Sequence, residues 1–400
     1  MTAGFDLIAE TLAARGQDIG RVEEALRAQE VETPSWAFGN SGTRFAVFAQ
    51  PGAPRDTFEK LEDAAEVQRL TGVARSVALH IPWDKVENLN ELSERAQELG
   101  LRLGAINPNL FQEPEYKLGS LCNPDAGVRR HAVAHVRECI EIAARVGSDA
   151  IALWLADGTN YPGQDSLRGR RVRLADALHE IYEVLGDELE LLVEYKLYEP
   201  AFYATDLADW GSALLMCQQL GERAKVLVDL GHHAQGVNIE QIVSLLHGAD
   251  RLGGFHFNDR KYGDDDLIVG SIDPYQLFRI FFELTDIGAF EDGVRLTIDQ
   301  SHNVEAKVEA MIQTVMNLQE SYAKALLVDR PALERAQTGG DILGANRILV
   351  DAYNTDVRPL CAKVREELGA AADPIATFRA DGYADRVAQA RQHGTAAAWL

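Results

Sequence analysis

Cysteine is scarce and scattered: four in 400 residues, Cys122, Cys139, Cys217 and Cys361, with no C-x-x-C pair. That spacing excludes a zinc ribbon, a disulfide framework and a redox dithiol, and it suits a reducing cytoplasm. No apolar run approaches the roughly 20 residues that cross a bilayer. The opening MTAGFDLIAETLAARG carries acidic residues early and lacks the apolar stretch of a secretory leader. Positive charge is also short: 39 Lys+Arg against 62 Asp+Glu give a formal charge of −23. Such a surface repels a polyanion over most of its extent, so the expectation is a cytoplasmic protein with neither nucleic acid nor membrane as partner.

The phosphate-binding motifs G-x-G-x-x-G and G-x-x-x-x-G-K-[ST] are missing as well, which removes the usual signature of an open doubly wound sheet. What is present is an alternation of short apolar runs and amphipathic stretches. The strand-like runs start at Arg44 (RFAVFAQ), Ser76 (SVALHIPW), Leu101 (LRLGAINPNLF) and Asp149 (DAIALWLADG). Four more start at Leu189 (LELLVEYKL), Lys225 (KVLVDLGH), Leu252 (LGGFHFND) and Val294 (VRLTIDQ). Most are almost continuously apolar, as parallel strands covered on both sides are. Between them lie helical patterns such as HAVAHVRECIEIAARVG, where Val133, Val136, Ile140 and Ala143 recur at helical spacing and Gly147 stops the run. Eight such units predict an α/β fold of the closed (β/α)8 TIM-barrel kind. The expected organisation is an N-terminal helical segment and loop over 1–43, the barrel over 44–328, and a helical extension over 329–400 that packs on its own barrel or a neighbouring subunit.

In such barrels the reacting groups sit at the C-terminal ends of the strands. Four consecutive runs end there with a potential metal ligand: Glu194, Asp229, His256 and Asp299. Converging carboxylates repel one another unless a cation neutralises them, and three oxygens with one imidazole suit Mn²⁺, Mg²⁺ or Co²⁺. The competing reading, that each acid caps a helix or pairs with a base, does not explain a pattern repeated at one level of the barrel. Lys196, two residues after Glu194, points to the same face. Asp264 and Asp266 in the loop DRKYGDDDL, with His232 on the neighbouring run, form a candidate second site, though D-D-D near glycine is often a solvated turn. His80 falls at a strand end, either in the mouth or bonded to Asp84. Trp36, Phe111 and Trp154 are core or a wall for substrate.

The strings SWAFGNSGTRF, LHIPWD, NPNLF, VEYKLYEP, VLVDLGHH, FHFNDRKYGDDDL, TIDQSHN and, in the tail, GGDILGANRILVDAYNTDVRPL together resemble the bacterial L-rhamnose isomerases of the broad-specificity type. The resemblance runs from roughly Ser35 to Leu360; the metal residues alone would fit several xylose-isomerase-like barrels. It implies two divalent ions per subunit, usually manganese. Glu194, Asp229, His256 and Asp299 would hold the structural ion; His232, Asp264 and Asp266 the catalytic one, with Glu194 bridging. Lys196 would contact the substrate oxygen on C1, and His80 a hydroxyl further along. Trp36, Phe111 and Trp154 would form an apolar wall near the deoxy methyl end. Phe45 would close a neighbour's site in a homotetramer. The implied reaction is aldose–ketose interconversion of L-rhamnose and L-rhamnulose, with D-allose among other substrates, by metal-assisted hydride shift between C1 and C2. An enediol route with Asp299 or Glu194 as base is the competing mechanism, and another metal-dependent sugar isomerase or epimerase the competing activity. A phosphodiesterase on this barrel would want a basic groove, and a glycosidase two opposed metal-free carboxylates.

Overall fold

In the computed structural model, which describes residues 2–40, 48–197 and 203–391, eight parallel strands close into a barrel. Helices α1 (Thr2–Ala14) and α2 (Ile19–Ala28) come first. β1 (Glu32–Pro34) then leads into α3 (Ser35–Phe38) and α4 (Thr57–Thr71), β2 (Ser76–Ile81) into α5 (Leu89–Glu98), and β3 (Arg102–Pro108) into α6 (Ala126–Val146). β4 (Ala150–Trp154) passes through β5 (Gly158–Thr159) to α7 (Leu167–Tyr182), and β6 (Glu190–Glu194) through β7 (Ala204–Thr205) to α8 (Trp210–Leu220). β8 (Ala224–Asp229), β9 (Leu252–Phe257) and β10 (Arg295–Ile298) are followed by α9 (Ile239–Gly248), α10 (Pro274–Asp286) and α11 (Lys307–Leu326). Five helices complete the described chain: α12 (Arg330–Thr338), α13 (Ile342–Tyr353), α14 (Arg358–Glu367), α15 (Pro374–Asp381) and α16 (Tyr383–Ala390). The ring runs β1-β2-β3-β4-β6-β8-β9-β10 and back to β1, while β5 and β7 pair as a separate antiparallel ribbon. This is the expected (β/α)8 architecture.

The local chemistry explains the elements. Asp125 caps α6 by accepting from Gly127 N, and Gly147 ends it at φ 74°, a left-handed turn that glycine adopts without Cβ strain. Val133, Val136, Ile140 and Ala143 are its buried face. Seven of the eight expected runs are barrel strands in place. The exception is the run from Arg44. The ring closes through β1, whose Glu32 pairs with Ser76 of β2 and Thr297 of β10. Residues 44–47 lie outside the described residues, and Phe48, Ala49 and Gln50 carry no strand. A three-residue strand reading Glu-Thr-Pro has no apolar run to betray it. It forms because Glu32 is needed inside: its carboxylate accepts from Ser76 Oγ at 2.5 Å, Thr297 Oγ1 at 2.9 Å and Ala105 N at 3.2 Å. Gly104 makes room, since a Cβ there would lie 1.5 Å from Glu32 Oε2.

Above that polar plug the barrel interior is narrow-sided. Ala78, Ala105, Ala150 and Ala152 cluster with Leu192 and Leu227 under the half-buried Trp36. Small side chains on β2, β3 and β4 leave an opening at the C-terminal end. The register sets what borders it: His80 lies opposite Asn107, Trp154 opposite Glu194, and Asp229 opposite His256.

Candidate metal centre and substrate cavity

A cavity of about 390 Å³ opens at the C-terminal ends of the strands. Its lining includes Trp36, His80, Phe111, Trp154, Glu194, Lys196, His232, His256, Asp264, Asp266 and Asp299. Every candidate site residue among the described ones therefore reaches it, except Asp229, which is fully buried beneath; Phe45 lies outside the described residues.

Ligand atoms of Glu194, Asp229, His256 and Asp299 all fall within 4.8 Å of one another. A second group, Asp229, His232 and Asp264, meets the same criterion. Asp229 is the residue common to both groups; Glu194 belongs to the first alone, with Oε1 3.1 Å from His232 Nδ1 and Oε2 3.2 Å from His256 Nδ1. Asp266 is in the cavity but its carboxylate does not join either group; Ser301 Oγ donates to it at 3.4 Å.

Neighbouring groups orient these side chains. Gly231 N and Asn258 Nδ2 donate to Asp229 Oδ1 at 2.6 and 2.9 Å, which leaves Oδ2 buried with no hydrogen-bond partner. Asp264 Oδ1 is likewise buried without one, and His256 Nδ1, although 3.2 Å from Glu194 Oε2, makes no well-aligned hydrogen bond. His232 donates Nδ1–H to the Tyr195 carbonyl at 2.9 Å, turning Nε2 towards Asp264 at 3.6 Å and Asp229 at 3.9 Å. Trp36 Nε1 donates to Asp299 Oδ1 at 2.8 Å. Orphaned polar atoms at this density are costly unless something binds them, and an imidazole whose second nitrogen is held by a carbonyl is a common arrangement for metal ligation.

The electrostatics point the same way. Burial, then repulsion from Asp264, Glu194 and Asp299, pushes Asp229 up to about 7 against the pull of His232. Burial alone would raise Glu194 and lower His256; instead the pair settles at about 2 and about 9, because each stabilises the other's charge. His232 is driven well above its ordinary range by Asp229 and Asp264, which overcome burial. The cluster draws protons onto its imidazoles to balance its carboxylates. The donor set, oxygen-rich with two nitrogens, fits divalent ions such as Mn²⁺, Co²⁺ or Mg²⁺.

Across the cavity, Lys196 Nζ donates to Asp264 Oδ2 at 2.7 Å and lies 4.9 Å from the centre of the Trp154 ring. Phe111 packs on Trp154 at 4.8 Å between ring centres. His80 stacks on Trp83 at 3.9 Å and meets Trp36 and Phe111 edge-on. Its ring is not bonded to Asp84: the His80 backbone N–H is, at 2.7 Å, and Nδ1 has no hydrogen-bond partner. Burial, helped by the positive charge of Lys60, pushes the ring down to about 3, so it is neutral.

The sequence offered Asp84 only as a partner for the His80 ring and did not mark the rest of what braces this wall. Asp84, fully buried, accepts from Ser35 Oγ at 2.5 Å and Lys60 Nζ at 2.6 Å as well as from His80. It thereby ties β2 to the start of α3, where Trp36 sits. The only signal was the string LHIPWD, in which Trp83 and Asp84 follow His80 closely.

A family model for xylose isomerase-like TIM barrels matches residues 62–307, and the chain belongs to that family. Among its relatives, a protein named "Probable sugar isomerase" from Rhizobium meliloti (strain 1021) is 46% identical over 401 residues, covering 98% of this chain and 93% of that one. Another of the same designation, from Mesorhizobium japonicum, is 48% identical over 392 residues, covering 96% and 91%. Among solved structures, an L-ribulose 3-epimerase superposes with a TM-score of 0.57 at 17% identity, covering 75% of this chain and 98% of that one. A 3-keto-D-glucoside 4-epimerase from E. coli gives 0.55 at 16%, covering 73% and 99%. At such identities the superpositions establish the fold alone.

Proposed function

We propose that this chain is a metal-dependent aldose–ketose isomerase that interconverts L-rhamnose and L-rhamnulose and accepts related aldoses such as D-allose. The observation that carries the reading is the convergence of Glu194, Asp229, His256 and Asp299 on buried, partly orphaned atoms, with the Lys196 ammonium in the same cavity. The full-length relatives named as sugar isomerases support the reaction class.

Glu194, Asp229, His256 and Asp299 would hold one divalent ion; His232 and Asp264, with Asp266 as a further ligand, would hold a second. Manganese is our choice, with cobalt or magnesium compatible with the same donors. Such ions polarise a carbonyl and lower the pKa of a bound hydroxyl.

The chain's own residues do the rest. In the proposed reaction hydride moves from C2 to C1 within the sugar, and the C2 hydroxyl proton ends on the C1 oxygen. Lys196 faces that oxygen and steadies its developing negative charge. His80, neutral and with Nδ1 unpartnered, pairs with a hydroxyl further along the chain. Trp36, Phe111 and Trp154 cover the deoxy methyl end and keep water from the reacting carbons. A cytoplasmic homotetramer completes the proposal, with 329–400 as its assembly extension and Phe45 closing a neighbour's cavity.

The test is product analysis after incubating Mn²⁺-loaded protein separately with L-rhamnose, D-allose and D-xylose. L-rhamnulose formed with the highest kcat/KM is the expected result. Turnover of another aldose with none of L-rhamnose would replace the substrate, and no ketose from any aldose would remove the isomerase reading.

A further inference from the structure

Cys122, Asp157 and Asp206 bring their ligand atoms within 4.8 Å of one another, much as a metal trio would. The cationic place there is already taken. Arg170, in the first turn of α7 with a side chain 1% exposed, donates Nη2 to Cys122 Sγ and to Asp206 Oδ2, both at 2.8 Å. Its Nε reaches Asp206 Oδ1 at 3.0 Å, and Nη1 reaches the Leu118 carbonyl at 3.0 Å and Asp165 Oδ2 at 3.3 Å. One guanidinium thus grips the loops that follow β3, β4 and β6. Phe111, Trp154 and Lys196 lie at the roots of those three loops.

The grip continues to the site through main-chain bonds. Asp157 accepts from Ser120 N and Ser120 Oγ at 2.9 and 2.8 Å, joining the loops after β3 and β4. Asp206 N donates to the Asp157 carbonyl at 3.1 Å, and Lys196 N donates to the Leu207 carbonyl at 2.9 Å. Asp206 therefore sits directly before the residue that anchors the Lys196 backbone. A planar five-donor fork can hold three separate segments at fixed angles, which a lysine cannot.

We infer that Arg170 is a positioning residue: from outside the barrel it fixes the loops after β3, β4 and β6, and through Asp206 and Leu207 it sets the Lys196 backbone that presents the ammonium to substrate. The inference rests on the isomerase reading for its effect on turnover, but its structural half can be measured without any reaction.

Two measurements on the full-length chain test it. In amide hydrogen exchange of metal-free protein, Arg170→Lys speeds exchange at the Lys196 and Asp206 amides by roughly ten-fold while the strand amides of β8 and β9 keep their protection. In turnover of the best aldose with Mn²⁺, kcat/KM falls by at least about ten-fold, as a displaced positioning group predicts. The control is Arg295→Lys, which weakens a half-buried ion pair with Glu190 and a contact with the exposed Asp149 at the far end of the barrel. It lowers the melting temperature and leaves kcat/KM unchanged. Asp206→Asn replaces Arg170→Lys if the latter does not fold. Unchanged exchange at Lys196, or an equal fall of kcat/KM in the Arg295 control at matched melting temperature, overturns the assignment. Absence of turnover in the wild type would fail the isomerase reading instead, and exchange at Lys196 would then decide the positioning role alone.

Discussion

Trp36 donates its indole N–H to Asp299 Oδ1 at 2.8 Å. A side chain expected only as an apolar wall thus also orients one of the four converging ligands. Trp36→Phe keeps the wall and removes the donor. The account predicts a loss of metal affinity of about 10-fold to 100-fold, measured by calorimetric titration with Mn²⁺. The KM for aldose, measured at saturating metal, changes little.

In the proposed reaction Lys196 is the group that faces the reacting oxygen. Lys196→Met removes the charge and its donation to Asp264. The predicted outcome is a fall in kcat of roughly 10²-fold or more, as for loss of one stabilising donor. Metal content by elemental analysis stays at the wild-type value, because Lys196 is not among the gathered ligands.

Gly231 tests the second metal group. A Cβ there would lie 2.3 Å from Asp264 Oδ1 and 3.2 Å from Asp229 Oδ1. Gly231→Ala must displace the Asp264 carboxylate, which belongs to the second group alone, while the looser contact with Asp229 needs only a slight adjustment. The expected result is one equivalent of bound Mn²⁺ where the wild type binds two, in a protein that still melts cooperatively.

His80 supplies a pH prediction. Its folded pKa of about 3 lies well below the unfolded value of about 6.5. The stability gained by burying a neutral ring is complete above about pH 6.5 and is lost as pH falls towards 3, at up to about 1.4 kcal/mol per unit. His80→Phe removes that dependence, so wild type loses stability relative to the variant between pH 6.5 and 4. Nitrogen NMR of the wild-type ring should show no titration from pH 8 to 5; a midpoint near 6.5 would refute the buried neutral ring.

Much of this was legible in the sequence for a physical reason. Seven barrel strands fall within largely apolar runs, because a parallel strand is covered on both faces. Glu194, Asp229, His256 and Asp299 stood out as polar endings of such runs at one level of the barrel. β1 was hidden because its inward Glu32 serves a polar plug rather than an apolar core, and the more apolar run from Arg44 drew the assignment instead. The bracing role of Asp84, which was named only as a partner for His80, and Arg170 altogether were hidden for another reason. Each acts through partners distant in sequence: Asp84 through Ser35 and Lys60, Arg170 through Leu118, Cys122 and Asp206. No local spacing encodes such convergence. Asp266 was paired with Asp264 by spacing and then by resemblance, yet its carboxylate stands apart from the Asp229–His232–Asp264 group.

The central claim, that this mouth performs aldose–ketose isomerisation only with a divalent ion in place, is tested most directly by stripping the protein with a chelator and following L-rhamnulose formation from L-rhamnose on adding back Mn²⁺. The account predicts no ketose from stripped protein and recovery that saturates with two equivalents of Mn²⁺. Full activity in stripped, folded protein, or no activity with any divalent ion, would contradict it.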